Sequence, residues 1–194
     1  HGCVPIGLER RVTSTDGCWM HTIDDQPAWE VFREYLDGDP VDLTAEGVPY
    51  LALGIPLEDR LAETYDPYIV KVPMQLDGET GALFFPGGGL RDGQRVRLIR
   101  RDPERIRQSA RESAQSLRER NAGCTPALAI QLDCAGRGRM LFGNEVDDAI
   151  VMPLRESLGL ETPWIGFHTY GEIAPIDRAD RARRFAFLCL RHVS

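Results

Sequence analysis

Apolar and polar positions alternate with a period of two along residues 11–23. Val12-Thr13-Ser14-Thr15 and Cys18-Trp19-Met20-His21 flank Asp16-Gly17, a pair that type I′ turns prefer. The pattern predicts a β-hairpin with Thr15 opposite Cys18 and Val12 opposite His21. The period then lengthens to that of a helix. Pro27 opens it, Ala28, Val31, Phe32 and Tyr35 share one face, and Asp37-Gly38-Asp39-Pro40 ends it. Residues 39–66 carry Pro40, Pro49 and Pro56 and read as a loop-rich excursion with one short strand at Tyr50-Leu51-Ala52-Leu53.

Three strand patterns follow, at Tyr68–Pro73, Gly81–Phe85 and Gln94–Arg100. Asp77-Gly78, Gly87-Gly88-Gly89 and Asp92-Gly93 punctuate them, and short turns between successive strands predict an antiparallel meander. Residues 103–120 give the clearest helix. Pro103 suits the first helical position after Asp102, and Ile106, Ala110, Ser113, Ala114 and Leu117 make one narrow stripe. Residues 126–134 read as a buried strand with Leu128, Ile130, Leu132 and Cys134 on one face. A second helix is expected from Asn144 to about Ser157, kinked or split by Pro153. Strands are expected at 163–170 and at Phe185–His192.

Helices do not alternate regularly with strands, so a doubly wound parallel fold is disfavoured. The expected class is α+β: a mostly antiparallel mixed sheet with two or three helices packed on it. At 194 residues and 42% apolar composition the chain has room for a real core. No apolar stretch approaches membrane-spanning length, and no signal peptide is visible, so the expected location is the cytoplasm, with no membrane partner.

Charge adds one exclusion. The net is −7, from 23 basic and 30 acidic residues, and Lys71 is the only lysine. Residues 24–66 hold 12 acidic and 2 basic side chains, whereas residues 91–120 hold 10 arginines against 5 acids. The Arg-rich stretch has no interleaved aromatics, no recognition motif and no basic overall balance, so a nucleic-acid partner is not expected. The opposed charges read as solvated faces or, in a scaffold reading, as a ligand-free partner surface. The five cysteines form no C-x-x-C pair, so a zinc knuckle or dithiol motif is not expected, nor any metal site.

Polar groups gather at two predicted strand ends. One is Asp133-Cys134-Ala135-Gly136-Arg137-Gly138-Arg139; the other is Gly166-Phe167-His168-Thr169-Tyr170-Gly171-Glu172. In the second, alternation puts Trp164, His168, Tyr170 and Glu172 on one face with the bare Gly166, and Ile165, Phe167 and Thr169 on the other. An imidazole, a phenol, a carboxylate and a glycine suit a pocket wall. Arg137 is a candidate clamp for a carboxylate, or a structural partner of Glu172. Cys134 reads as a buried thiol rather than a nucleophile, because a catalytic thiolate needs a base such as His168 beside it. With no G-x-S-x-G elbow and no phosphate loop, the expectation is not an enzyme.

Val12-Thr13, Ile23, Pro27-Ala28, Asp133-Cys134-Ala135-Gly136-Arg137 and Pro163-Trp164-Ile165-Gly166-Phe167, followed by Gly171-Glu172-Ile173, resemble the C-terminal half of the FIST family and the segment joining it to the N-terminal half. The resemblance implies a single sensory domain over 1–194, with a joining hairpin and helix at 1–38 and the core at 39–194. It implies an intracellular signalling role, as in bacterial sensors and eukaryotic F-box proteins, and a small ligand such as an amino acid. Together with the pocket-wall reading, which supplies His168 and Tyr170, the ligand residues would be Cys134, Gly136, Arg137, Gly166, Gly171 and Glu172 from the matching motifs, Arg137 holding an anionic group and Glu172 an amino group. No cofactor is expected in this reading. In the alternative, also drawn from the resemblance, the domain binds haem through His168 or Cys134 and reports nitric oxide to a histidine kinase.

Overall fold

The computed structural model describes residues 2–36, 51–57, 67–120, 122 and 124–169. The strand expected at Phe185–His192 lies outside them. The chain divides into two compact units, Cys3–Asp102 and a second that starts at Pro103 and whose described part ends at residue 169.

Strands dominate the first unit. They are β1 (Cys3–Asp16), β2 (Trp19–Ile23), β3 (Gln26–Pro27), β4 (Leu51–Pro56), β5 (Tyr68–Lys71), β6 (Gln75–Leu76), β7 (Leu83–Phe84) and β8 (Arg95–Arg101). All pair antiparallel, in the order β5-β4-β8-β1-β2-β7-β6, with β3 on β2. The α+β class with a mostly antiparallel sheet is what the pattern predicted, but the meander is not. β8 lies between β4 and β1, far from β7, because β1 is long enough to pair with β8 from Cys3 to Arg11 and with β2 from Val12 to Asp16.

The first hairpin turns one residue later than its sequence suggested. Asp16 pairs with Trp19 and Thr15 with Met20, so Gly17 and Cys18 make the turn. Only Gly17 has positive φ, at 58°, the glycine position of a type II′ turn, and Asp16 stays extended in the strand. The pair with two positive φ values is Asp24-Asp25, at 50° and 62°, which joins β2 to β3. Their strain is held by two bonds from β1. Asp24 Oδ1 accepts from the Arg11 N–H at 2.9 Å, and the Asp25 N–H donates to Thr13 Oγ1 at 3.0 Å.

α1 (Ala28–Arg33) is shorter than its pattern, with Pro27 before its first turn. It packs on β2, and Ala28, Val31 and Phe32 join Val12, Met20 and Ile23 in a core that is at most 1% exposed. Trp19 and Phe84 meet edge to face across β2 and β7, with ring centres 5.2 Å apart. Lys71 is also buried, and its ammonium donates to the Gly88 carbonyl at 2.7 Å. Desolvation holds its pKa below the usual lysine value, opposed weakly by Cys18.

The second unit carries α2 (Pro103–Arg120), β9 (Ala129–Cys134), α3 (Arg139–Phe142), α4 (Met152–Leu158) and β10 (Trp164–Thr169). The α2 stripe is buried as its spacing demands: Ile106, Ala110, Ala114 and Leu117 are at most 9% exposed. Ile106 and Ala110 cluster with Phe142, Val146, Ala149 and Ile150. The helix expected from Asn144 is broken into pieces. A 3-10 turn at Gly143–Glu145 and a π turn at Asp147–Val151 precede α4, and Pro153 sits in the first turn of α4, where its missing N–H costs nothing.

β9 and β10 form a two-stranded parallel sheet, separate from the first. Here the sequence reading is corrected. Residues 129–134 are a strand, but not a buried one: Leu128, Ile130 and Leu132 are 53%, 66% and 56% exposed. Their face carries the expected period of two, yet no described element lies over it.

Candidate functional site

Asp133 and Cys134 end β9, and His168 and Thr169 end β10. The parallel register sets His168 beside Asp133 and Thr169 beside Cys134. After Cys134 the chain turns sharply. The Arg137 and Gly138 N–H groups both donate to the Cys134 carbonyl, at 3.0 and 2.9 Å, and α3 starts at once. The Ala135 N–H and Thr169 Oγ1 tie the two strand ends together, bonding the Thr169 and Asp133 carbonyls at 2.8 and 3.2 Å. Two strand ends and a tight turn thus converge on Asp133.

The carboxylate of Asp133 is buried, and two cationic or potentially cationic groups face it. His168 Nδ1 lies 3.2 Å from Oδ2, and Arg137 Nη1 lies 3.9 Å from Oδ1. Arg137 Nη2 also donates to the Ile106 carbonyl at 3.5 Å. The side chains of Asp133 and Arg137 are 7% and 3% exposed, whereas that of His168 is 37% exposed. The imidazole is therefore the solvent-facing member of a buried charged group. Burial raises the Asp133 pKa, and it outweighs the opposing pull of Arg137 and then His168. Gly138 makes the arrangement possible, because a Cβ there would overlap Asp133 Oδ2 and crowd Val146.

The residues singled out from sequence divide into three groups. Arg137 and His168 meet, through Asp133. Gly136 is buried in the turn between β9 and α3. Cys134 is a half-buried cysteine outside any disulfide, and strand alternation sends it to the face opposite Asp133 and His168, so Cys134 and His168 do not face each other. Gly166 has a packing role as well, since a Cβ there would strike the Gln131 carbonyl on β9. Tyr170, Gly171 and Glu172 lie outside the described residues, and with them the Arg137–Glu172 pairing. Asp133 was missed as a member of the site. Its signal was its place at the strand end, four residues before Arg137, but only the parallel register shows that it meets His168.

An open groove between α2 and α4, lined by Arg111, Arg118, Glu156 and Ser157 among others, shares no residue with this cluster. Among the described residues no three His, Cys, Asp or Glu side chains gather as a metal site, and no helix is long and apolar enough to cross a membrane.

The FIST C domain family matches residues 28–175, which include both strand ends. The chain belongs to that family. FIST C domains are sensory domains of signal transduction. The uncharacterized protein Mb0898c of Mycobacterium bovis is 29% identical over 180 residues, covering 90% of this chain and 44% of its own length. The uncharacterized protein Rv0628c of Mycobacterium tuberculosis is 28% identical over 179 residues, covering 90% of this chain and 45% of its own. The chain thus spans a little under half the length of the curated relatives it matches. No solved structure matches it.

Proposed function

We propose that this FIST C domain senses a small anionic molecule, an amino acid or a related acid, at the ends of β9 and β10, and passes the signal to an output partner such as a histidine kinase. The observation that carries the reading is the buried Asp133–Arg137 pair with the exposed imidazole of His168 on top of it, 3.2 Å from the carboxylate. Ligands of parallel sheets bind beyond the carboxyl ends of the strands, where this group sits. An ionised Asp133 accepts from Nδ1–H, and that bond leaves Nε2 as the ring's second polar atom. Protonated, Nε2 is a donor for an anionic group, and Arg137 adds positive charge from beneath without leaving Asp133. Tyr170, Gly171 and Glu172 belong to the reading by sequence alone, Glu172 as the candidate for an amino group.

The test is thermal unfolding against free amino acids and small organic acids, followed by titration calorimetry of any compound that raises the melting temperature in a saturable way. His168→Ala is expected to weaken that compound about 10- to 100-fold, the value of a charge-assisted hydrogen bond. An unchanged affinity in His168→Ala overturns the site.

A second reading is favoured by one specific feature, the same Nδ1 bond to Asp133. An imidazole anchored at Nδ1 with Nε2 outward is how proteins present a histidine to haem iron. Haem would supply the gas-binding iron, and this chain would supply His168 and, through Asp133, its orientation. Titration with haemin separates the readings: a Soret band that His168→Ala abolishes favours haem over an acid ligand.

A further inference from the structure

The two strands that carry the candidate site carry something different on their other face. Ile130 stands beside Ile165 and Leu132 beside Phe167, and Leu128 extends the row ahead of β9. These five side chains are between 53% and 66% exposed, and none is charged. Isolated apolar side chains on a surface are ordinary, but a contiguous row across two strands is not. Parallel strands occur almost only in sheets with both faces covered, and a two-stranded sheet is marginal by itself.

We propose that this face is a self-association surface, on which two copies of the chain stack their β9–β10 sheets about a twofold axis. Three observations favour a second copy. The first is area. Five side chains of this size at this exposure offer on the order of 500–600 Å² per copy, and with a polar rim two copies reach the ~1,200 Å² at which stable interfaces begin. The second is self-complementarity. A twofold contact sets the same patch against itself, so Phe167 and Ile165 of one copy meet Ile130 and Leu132 of the other twice over. Stacked sheets pack about 10 Å apart with their side chains interleaved, which suits a flat aliphatic and aromatic row. The third is charge. Each copy carries a net −7 and is repelled by its like, so association must use a face free of charge.

Light scattering after gel filtration, together with sedimentation equilibrium, tests this on the whole chain without any ligand. The expected mass at micromolar concentration is twice the 21.7 kDa of the chain. Phe167→Asp and Ile130→Asp are each expected to raise the dimer dissociation constant about 100-fold or more. Circular dichroism and melting curves check that both variants remain folded. Leu8→Asp is the control: Leu8 is 77% exposed on β1, in the other unit, and its replacement leaves the dimer intact. Raising salt from about 0.05 to about 0.5 M is expected to tighten the dimer by screening the like charges. A monomer at every concentration, a dimer indifferent to Phe167→Asp, or a dimer that salt dissociates overturns the proposal. The outcome does not depend on whether the His168 site binds an acid.

Discussion

Val12, Met20 and Ile23 in the first unit and Ile130, Leu132 and Phe167 in the second carry the same kind of signal: apolar residues at strand spacing. Their fates differ. The first three are 0% exposed, and the other three are 56–66% exposed. In the first unit α1 follows the hairpin directly and lays Ala28, Val31 and Phe32 on it, so the cover is encoded a few residues from the face it protects. In the second unit the helices bury their own stripes, around Ile106 and Ile150, and leave the sheet face open. Periodicity tells which residues share a face. It carries no information on what covers that face unless the cover is local.

The largest expected effect tests this contrast directly. Phe32→Ala should cost about 3–5 kcal/mol, the price of a cavity in a closed core, whereas Phe167→Ala should cost the folded monomer within about 0.5 kcal/mol. Urea unfolding at low protein concentration measures both. Similar costs would mean that the two faces are not different.

A smaller effect is expected at Gly138. Its φ is −98°, outside the left-handed region, and a Cβ there would meet Asp133 and Val146. Crowding against Asp133 should make Gly138→Ala cost about 1–3 kcal/mol, and most of that cost should vanish in the Asp133→Ala background, where the obstructing carboxylate is gone. A cost that is unchanged in the double variant would place the strain elsewhere.

The smallest effects concern pH, and the two units should differ in sign. Burial raises the Asp133 pKa, so the folded state binds the extra proton; stability declines as pH rises from the ordinary carboxylate value through the folded one, then levels. Desolvation lowers the Lys71 pKa, so the unfolded state binds more protons; stability climbs as pH rises through the folded value and levels near the usual 10.5. Asp133→Asn should flatten the acid limb and Lys71→Met the alkaline limb of stability measured against pH. A limb that survives its own substitution belongs to another group.

Much of the secondary structure was legible because its causes are local. The stripe of α2, the strand before Cys134 and the Trp164–Thr169 strand follow from spacing and turn residues alone. The hairpin turn moved by one residue, and each pairing by two, because Asp16-Gly17 satisfies the preference for a type I′ turn, while a turn with Gly17 first needs only one positive φ. The real pair of left-handed residues, Asp24-Asp25, contains no glycine to mark it. Its stabilising partners, Arg11 and Thr13, are brought alongside only by the pairing of β1 and β2. Of the site, Arg137 and His168 were legible as chemistry-bearing residues at strand ends. Asp133 was legible in the same strand end, but not as the residue that joins them.

The amino-acid sequence by itself determined the α+β class, the faces of most elements and the two polar strand ends, because each rests on contacts among near neighbours. The tertiary structure decided that β8 returns between β4 and β1, that β9 and β10 run parallel, that Asp133 is buried between Arg137 and His168, and that no described element lies over the apolar face opposite them. Each of these depends on segments 30 to 90 residues apart, roughly, whose meeting is set by the global balance of burial against chain entropy and by no local pattern.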